Sequence, residues 1–511
     1  MTAADARVPP LVGEFDLLPQ ALDAAADQFG DADAYVEGRY HLSYRQWQLT
    51  SNAVAARLVE LGVKPGDVVA VMLPSSIDFA VAYAAIARLG AVTSAINTRL
   101  GPREVAAIFD RSRPIVAVGE PASPEIVIDV PVLGRVELQA VARASLAAAR
   151  PAALPVSDSV PGDPVAIIWT SGTTGLPKGA WFDHRGLAAA VHTAGALGAP
   201  FDRRLVNTPF AHAGYMHKPW EQAAWGMCFV ISPTPWTPED TIALIASERI
   251  TVAGGVPTQW AKIVDHRDLA TADLSSLRIG VAATAPTPPE LVERVSERLG
   301  CALVVRYAMT ESPSITGTDP GDRPEVLYRT VGRPQSGVEI EIRDQSGAPV
   351  TPGVVGRVHL RSAAAMRGYW NDPEQTAQVM LADGWIRSGD LGWIDPEGNL
   401  VMAGRSGDMY IRGGYNVYPL EVENVLSEHP AVAQAAIIGV PAPVIGEIGV
   451  AYIVASTDEA PTLEELRAWC RARLGDYKAP DELRVIAQLP VTSMLKVDKA
   501  ALRALWDAPD D

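Results

Sequence analysis

The chain has 511 residues, 48% of them apolar and 20% charged, with a formal net charge of −17. That length exceeds a single hydrophobic core, because domains usually run to about 100–200 residues, and the composition is that of a globular protein. The acidic balance argues against nucleic acid, whose phosphates want a basic face, but not against a small phosphorylated ligand held by a few local cations.

The first twenty residues carry acids early and lack a basic region followed by an apolar core, so no signal peptide is expected. The longest apolar run, residues 79–87, ends at Arg88. A membrane span needs about 20 such residues. These features predict a cytoplasmic protein with no membrane span. Between residues 15 and 120, helix and strand alternate. Apolar spacing predicts a helix over 43–61 ending at Gly62, a strand over 67–73, a helix over 79–89 ending at Gly90, and a strand at AVTSAIN. This βαβ rhythm implies a parallel sheet covered by helices. Residues 145–163, rich in Ala, Pro and Ser, read as an exposed connector. The α/β pattern resumes over 165–260. Residues 338–343 and 357–361 suggest antiparallel strands of a small β-barrel. A boundary falls near 404–408. Beyond it, a helix over 419–429, strands over 432–440 and 451–454, a helix over 463–474 and a strand over 483–486 form a separate α+β domain.

The three cysteines, Cys228, Cys301 and Cys470, are far apart and make no CxxC or Cys/His cluster. They argue against a disulfide framework and a zinc site, and for buried thiols in a reducing compartment.

Residues 165–180 read VAIIWTSGTTGLPKGA. An apolar strand runs into Thr170-Ser171-Gly172-Thr173-Thr174-Gly175-Leu176-Pro177-Lys178-Gly179. Glycines let successive backbone N–H groups converge on one anion, hydroxyls add donors, and lysine adds a point charge. That is the chemistry of a polyphosphate cradle. It is not a Walker A loop, whose GxxxxGK[ST] spacing is absent and whose Ser/Thr does not follow Lys178.

With this loop the chain resembles the adenylate-forming superfamily: acyl-CoA synthetases, firefly luciferases and the adenylation domains of peptide synthetases. The resemblance continues in order along nearly the whole chain. Tyr307-Ala308-Met309-Thr310-Glu311 is similar to the family's Tyr-Gly-x-Thr-Glu. It implies that Tyr307 stacks on adenine, Thr310 binds the α-phosphate, and Glu311, with Thr170, holds Mg²⁺. Ala282-Ala283-Thr284-Ala285-Pro286 stands where the family has Gly-Gly-Ala-Pro, which puts Ala283 and Thr284 on the adenine wall. Ser388-Gly389-Asp390 implies that Asp390 accepts the ribose hydroxyls, with Arg405 reaching the ribose or phosphate. Gly407 occupies the hinge position, where the family has Asp or Lys. Gly413 and Gly414, in Arg412-Gly413-Gly414-Tyr415-Asn416-Val417-Tyr418-Pro419, would let the backbone approach the pantetheine arm of CoA. Leu489-Pro490-Val491-Thr492-Ser493-Met494-Leu495-Lys496 makes Lys496 the catalytic lysine, with Leu495 in place of the common Gly. Pro209-Phe210-Ala211-His212-Ala213-Gly214-Tyr215 is similar to the Pro-x-x-His-x-x-Gly region of acyl-CoA synthetases. It lacks the Asp of amino-acid-activating members, and His212 would border or gate the acyl pocket.

The fold implied is α/β: a large N-terminal region (1–404) of two α/β sheet subdomains plus a small β-barrel, then a mobile α+β C-terminal domain (408–511), hinged near 405–408. The function implied is a carboxylic acid–CoA ligase that forms AMP, with ATP, Mg²⁺ and coenzyme A as co-substrates or cofactor. Its partners would be small molecules, with no nucleic acid, and a homodimer is admitted. The tryptophans and methionines near His212 suggest a medium-chain, cyclic, branched or aromatic acid, although a plain core explains most of them. Two alternatives stand beside this reading: an adenylating enzyme that loads a carrier protein, and a non-catalytic nucleotide-binding protein.

Overall fold

The computed structural model describes residues 15–121, 123–148, 154, 158–170, 177–283, 287, 289–457, 459–492 and 497–507. The first predicted helix forms as Tyr44–Glu60. Ser43 caps it reciprocally: its Oγ accepts from the Gln46 amide at 3.3 Å, while Gln46 Oε1 accepts from the Ser43 amide at 3.0 Å. Strand Val68–Met72 and helix Ile77–Arg88 follow. That helix is buried all round, and Arg88 is tolerated there because Asp23 (2.7 Å) and Ser51 (2.9 Å) take its guanidinium.

A seven-stranded sheet is built on these elements. Strands Pro164–Thr170, Val92–Ala95, Val68–Met72, Val116–Gly119 and Val132–Leu133 run parallel. Strands Lys178–Asp183 and Gly368–Tyr369 add an antiparallel edge. The parallel part of a second, nine-stranded sheet comprises Ala302–Met309, Ile279–Ala283, Val252–Gly255, Arg203–Val206, Cys228–Ile231 and Asp33–Glu37. The largest apolar core joins the two sheets through Tyr35, Trp47, Phe79, Tyr83, Phe182, Phe210, Tyr215 and Phe229.

The small-barrel segment takes the form of a four-stranded antiparallel sheet: Val338–Arg343, Gly356–Ser362, Ile386–Ile394 and Leu400–Arg405. Its first and last strands are not paired with each other among the described residues. The last region holds a five-stranded sheet, with helices Pro419–Ser427, Leu463–Arg471 and Lys499–Asp507. The start of the expected connector needs correcting. Helix Arg135–Ala148 covers its first four residues, and Ser145 is buried. The alanine-rich run has the helix propensity to continue that far. Among the described residues, no helix is long and apolar enough to cross a membrane.

Candidate active site

Three short connections carry most of the predicted site residues. Thr170 ends one strand and pairs directly with Lys178 at the start of the next, which runs antiparallel to it. Ser171, Gly172, Thr173, Thr174 and Gly175 lie outside the described residues, as do Thr284 and Lys496. Just before Lys178, Arg111 Nη1 donates to the Pro177 carbonyl at 2.9 Å. Thr310 and Glu311 are the two-residue connection between strands Ala302–Met309 and Ser312–Gly317, closed by the pair Met309 and Ser312. Ala283 ends the neighbouring parallel strand and pairs with Arg306, one residue before Tyr307. The carboxyl ends of parallel strands are where α/β sheets bind ligands.

Two polar clusters form around these turns. In the first, the Tyr307 hydroxyl donates to Asp390 Oδ2 at 2.5 Å, and Arg405 Nε lies 3.2 Å from Asp390 Oδ1. Asp390 and Arg405 are cross-strand partners, which explains their meeting. Ser388 Oγ accepts from the Asp390 amide at 3.0 Å. Burial, and then the Asp390 carboxylate, push the Tyr307 hydroxyl well above the usual tyrosine range, so it stays a donor. In the second cluster, the Tyr369 hydroxyl donates to Glu311 Oε1 at 2.7 Å. Lys178 Nζ lies 5.6 Å from the Tyr369 ring centre and donates to Gln375 Oε1 at 2.6 Å. The structure thus brings Lys178 and Glu311 to one tyrosine, the first over its ring and the second at its hydroxyl, which the sequence did not single out.

Other predicted residues lie elsewhere. His212 is half-buried and caps the short helix Ala213–Met216, its Nδ1 accepting from the Gly214 amide at 3.2 Å. The apolar residues after it are core: Met216, Trp220, Trp225 and Met227 are all buried. Next to them His217 is 2% exposed, with Nε2 unpaired and its ring against Phe182. Burial, then the Lys218 charge, lower its pKa to about 3.

Gly413 and Gly414 have φ of 57° and 86° and form the two-residue turn between strands Tyr410–Arg412 and Tyr415–Val417. A turn with both φ positive matches the twist of a hairpin and favours glycine. Beside it opens a cleft of about 410 Å³, lined by Arg412, Gly413, Tyr415, Arg467, Arg471, Asp476 and Tyr477. The Tyr415 and Tyr477 rings stack with centres 4.6 Å apart. Gly407 is exposed, and a Cβ there would meet nothing within 4 Å. Around the Lys496 loop, Val491 and Val497 form an antiparallel bridge, and the Asp498 amide donates to the Pro490 carbonyl at 2.8 Å.

The three cysteines are buried free thiols. Burial pushes Cys228 up to about 12, and Cys301 and Cys470 up to about 11, so none is a thiolate near neutral pH. No group of three or more His, Cys, Asp or Glu that could cage a metal occurs among the described residues. A lone carboxylate such as Glu311 still suits Mg²⁺, which takes one or two carboxylates plus the oxygens of substrate phosphates.

Comparison with known proteins places the chain in a family. The family described as AMP-binding enzyme matches residues 22–370, and the AMP-binding enzyme C-terminal domain matches residues 421–496. The 3-[(3aS,4S,7aS)-7a-methyl-1,5-dioxo-octahydro-1H-inden-4-yl]propanoyl:CoA ligase of Rhodococcus jostii (strain RHA1) is 34% identical over 95% of this chain and 98% of its own. A feruloyl-CoA synthase of an Amycolatopsis species is 34% identical over 92% of this chain and 95% of its own. The crystal structure of ATP-bound MatB from Rhodopseudomonas palustris superposes with a TM-score of 0.87 at 26% identity, covering 96% of this chain and 99% of that one.

Proposed function

The chain belongs to the AMP-binding enzyme family, as an AMP-forming acid–CoA ligase, and from that premise we propose how its residues divide the work. A carboxylate is a poor electrophile. In the first half-reaction its oxygen attacks the α-phosphorus of ATP, the bond to the β-phosphate oxygen breaks, and pyrophosphate leaves. Charge builds on phosphoryl oxygens, so catalysis is mostly positioning plus cations. Tyr307 offers its ring face to adenine, beside Ala283 and Thr284. Asp390 takes the ribose hydroxyls, and Arg405 reaches the ribose or phosphate. Thr170, the 171–175 loop and Lys178 hold the departing phosphates. Thr310 binds the α-phosphate, and Lys496 bridges it to the acid. Glu311 and Thr170 are the hard-oxygen ligands that would hold Mg²⁺, which when bound would neutralise phosphate charge. The observation that carries this reading is the Tyr307–Asp390–Arg405 cluster, which joins two sheets next to the Thr310–Glu311 turn.

In the second half-reaction a thiolate attacks the activated carbonyl and AMP leaves. The chain's own thiols are buried and protonated, which supports an external thiol. The cleft beside Gly413 supports CoA as its source: Arg467 and Arg471 suit phosphates, and the stacked Tyr415 and Tyr477 suit a base. The 408–511 region would turn about residues 405–408 between half-reactions, with Gly407 as the pivot and His212 at the acyl pocket. The acid is medium-chain, cyclic, branched or aromatic. The relatives named for an octahydro-indenyl propanoyl group and a feruloyl group favour the ring-bearing members of that set. A cytoplasmic setting completes the proposal.

The test is pyrophosphate release from ATP and Mg²⁺ with a panel of acids, with and without CoA, for the native protein and Lys496→Ala. Release with one acid, capture as a thioester by CoA, and loss of release in the variant are the expected results. Release that ignores CoA would move the acceptor to a carrier protein. ATP binding without turnover on any acid would overturn the reading.

A further inference from the structure

We propose that Tyr369 is a positioning residue that keeps the lysine of the phosphate loop and the carboxylate of the metal site from neutralising each other. The inference rests on the reading that Lys178 serves phosphate and Glu311 serves Mg²⁺. It goes beyond that reading in assigning a task to a residue outside every motif that carries it.

Lys178 and Glu311 are opposite charges that both contact Tyr369. Left alone, they would pair, and the pair would bind neither a phosphate nor a cation. Among the described residues they make no ion pair with each other or with any other group. Each is held by a neutral partner instead. Glu311 accepts the Tyr369 hydroxyl at 2.7 Å, Lys178 donates to the Gln375 amide oxygen at 2.6 Å, and the ammonium lies over the Tyr369 ring, 5.6 Å from its centre. A neutral hydrogen bond fixes a charge without cancelling it, and a ring face attracts a cation weakly enough to release it.

The separator is itself braced. Tyr369 is 7% exposed on the edge strand Gly368–Tyr369, paired with Ala180 two residues beyond Lys178. Its amide donates to Thr376 Oγ1 at 2.8 Å. Asp372 caps helix Pro373–Val379, accepting from the Gln375 amide at 3.1 Å. Asp372 also lies 3.7 Å from Arg111, whose Nη1 donates to the carbonyl of Pro177, the residue before Lys178. The brace therefore closes on one foot of the loop: Arg111 holds Pro177, and the helix that Asp372 caps holds Lys178 through Gln375.

The experiment is calorimetric titration of ATP, with no acid present, across a series of Mg²⁺ concentrations. Tyr369→Phe keeps the ring and deletes the donor. It should leave Mg²⁺-free ATP affinity unchanged and raise the Mg²⁺ concentration for half-maximal tightening about tenfold, as loss of a partner behind a metal ligand does. Tyr369→Leu deletes the separator, so Lys178 should close on Glu311 and Mg²⁺-free ATP affinity should fall about fivefold, the size of a part-exposed ion pair. Adding Glu311→Gln to Tyr369→Leu should restore that affinity, because a neutral side chain cannot capture the lysine. A merely structural tyrosine would not be rescued in this way. A native Mg²⁺ midpoint in Tyr369→Phe, or no rescue in the double variant, overturns the proposal. Should Tyr369→Leu fail to fold, the Phe variant decides alone. Glu311→Gln in the native background separates the two levels. If it abolishes the Mg²⁺ effect while Tyr369→Phe does not alter it, only the role of Tyr369 falls. If native ATP binding ignores Mg²⁺, the metal reading falls with it.

Discussion

Asp390 is the most tightly held carboxylate of the site, and its bond to Tyr307 should show as a measurable coupling. The acceptor is 5% exposed, and the bond is 2.5 Å long. A hydrogen bond to a charged group is worth about 1.5–3 kcal/mol, so Tyr307→Phe, which deletes one oxygen and keeps the ring, should destabilise the fold by about 2 kcal/mol. Asp390→Asn keeps an acceptor but removes its charge. It should cost about 1.5 kcal/mol, counting a small share from Arg405, whose side chain is 63% exposed and whose ion pair is therefore worth at most about 1 kcal/mol. If the Tyr307–Asp390 bond accounts for the overlap, the double variant should lose about 2.5 kcal/mol rather than the additive sum of about 3.5, a coupling of about 1 kcal/mol. The assay is urea unfolding of the native protein, the two single variants and the double variant, read as midpoints at constant slope. Losses that add to within about 0.5 kcal/mol would refute the argument, because independent sites add to that precision.

Two further outcomes follow from the buried histidines and the pivot. His184 is 1% exposed and its Nδ1 accepts from the Leu18 amide at 3.1 Å, a bond only the neutral ring can accept; burial lowers its pKa to about 4, and that of His217 to about 3. A depressed folded-state pKa gives stability that is complete above the unfolded value near 6.5 and lost as pH falls towards the folded values, so each histidine should cost about 1.4 kcal/mol per pH unit below 6.5. His217→Phe should remove its own share, about 1.4 kcal/mol per pH unit, from that slope between pH 6.5 and 5 in urea midpoints, and an unchanged slope would count against it. At the pivot, open space around Gly407 and the absence of a left-handed φ mean that Gly407→Ala fits the observed conformer. It should raise stability by about 0.4–1 kcal/mol, leave pyrophosphate release unchanged, and act, if at all, on thioester formation alone, which separate assays of the two half-reactions would resolve.

What the sequence made legible was whatever is encoded locally. The helix over 43–61 could be bounded because Ser43 and Gln46, three residues apart, cap each other. The Gly413-Gly414 pair was legible as a motif and has a local physical reason, a turn with two positive φ values. Tyr307, Asp390 and Arg405 were named one by one from motifs, and the cross-strand pairing of Asp390 with Arg405 explains why two of them meet. The connector was mistaken at its start, because alanine gives no periodic signal by which an ending helix can be told from a loop.

What stayed hidden depends on long-range packing. Tyr369 lies 58 residues from Glu311, and Gln375 lies 197 from Lys178. Each stands in a stretch that reads only as a helix start, Asp372-Pro373. A motif search finds charged and hydroxyl groups that a ligand would touch. It has no reason to find the neutral groups that hold them apart. Yet a site that must bind both an anion and a cation cannot be specified by its charges alone, since those charges satisfy one another at lower cost than any ligand can. The hydroxyl of Tyr369 and the amide of Gln375 supply the missing specification. They are neutral and braced, and both come from residues 368–379, a segment that pairs with the strand begun by Lys178 and reaches Glu311.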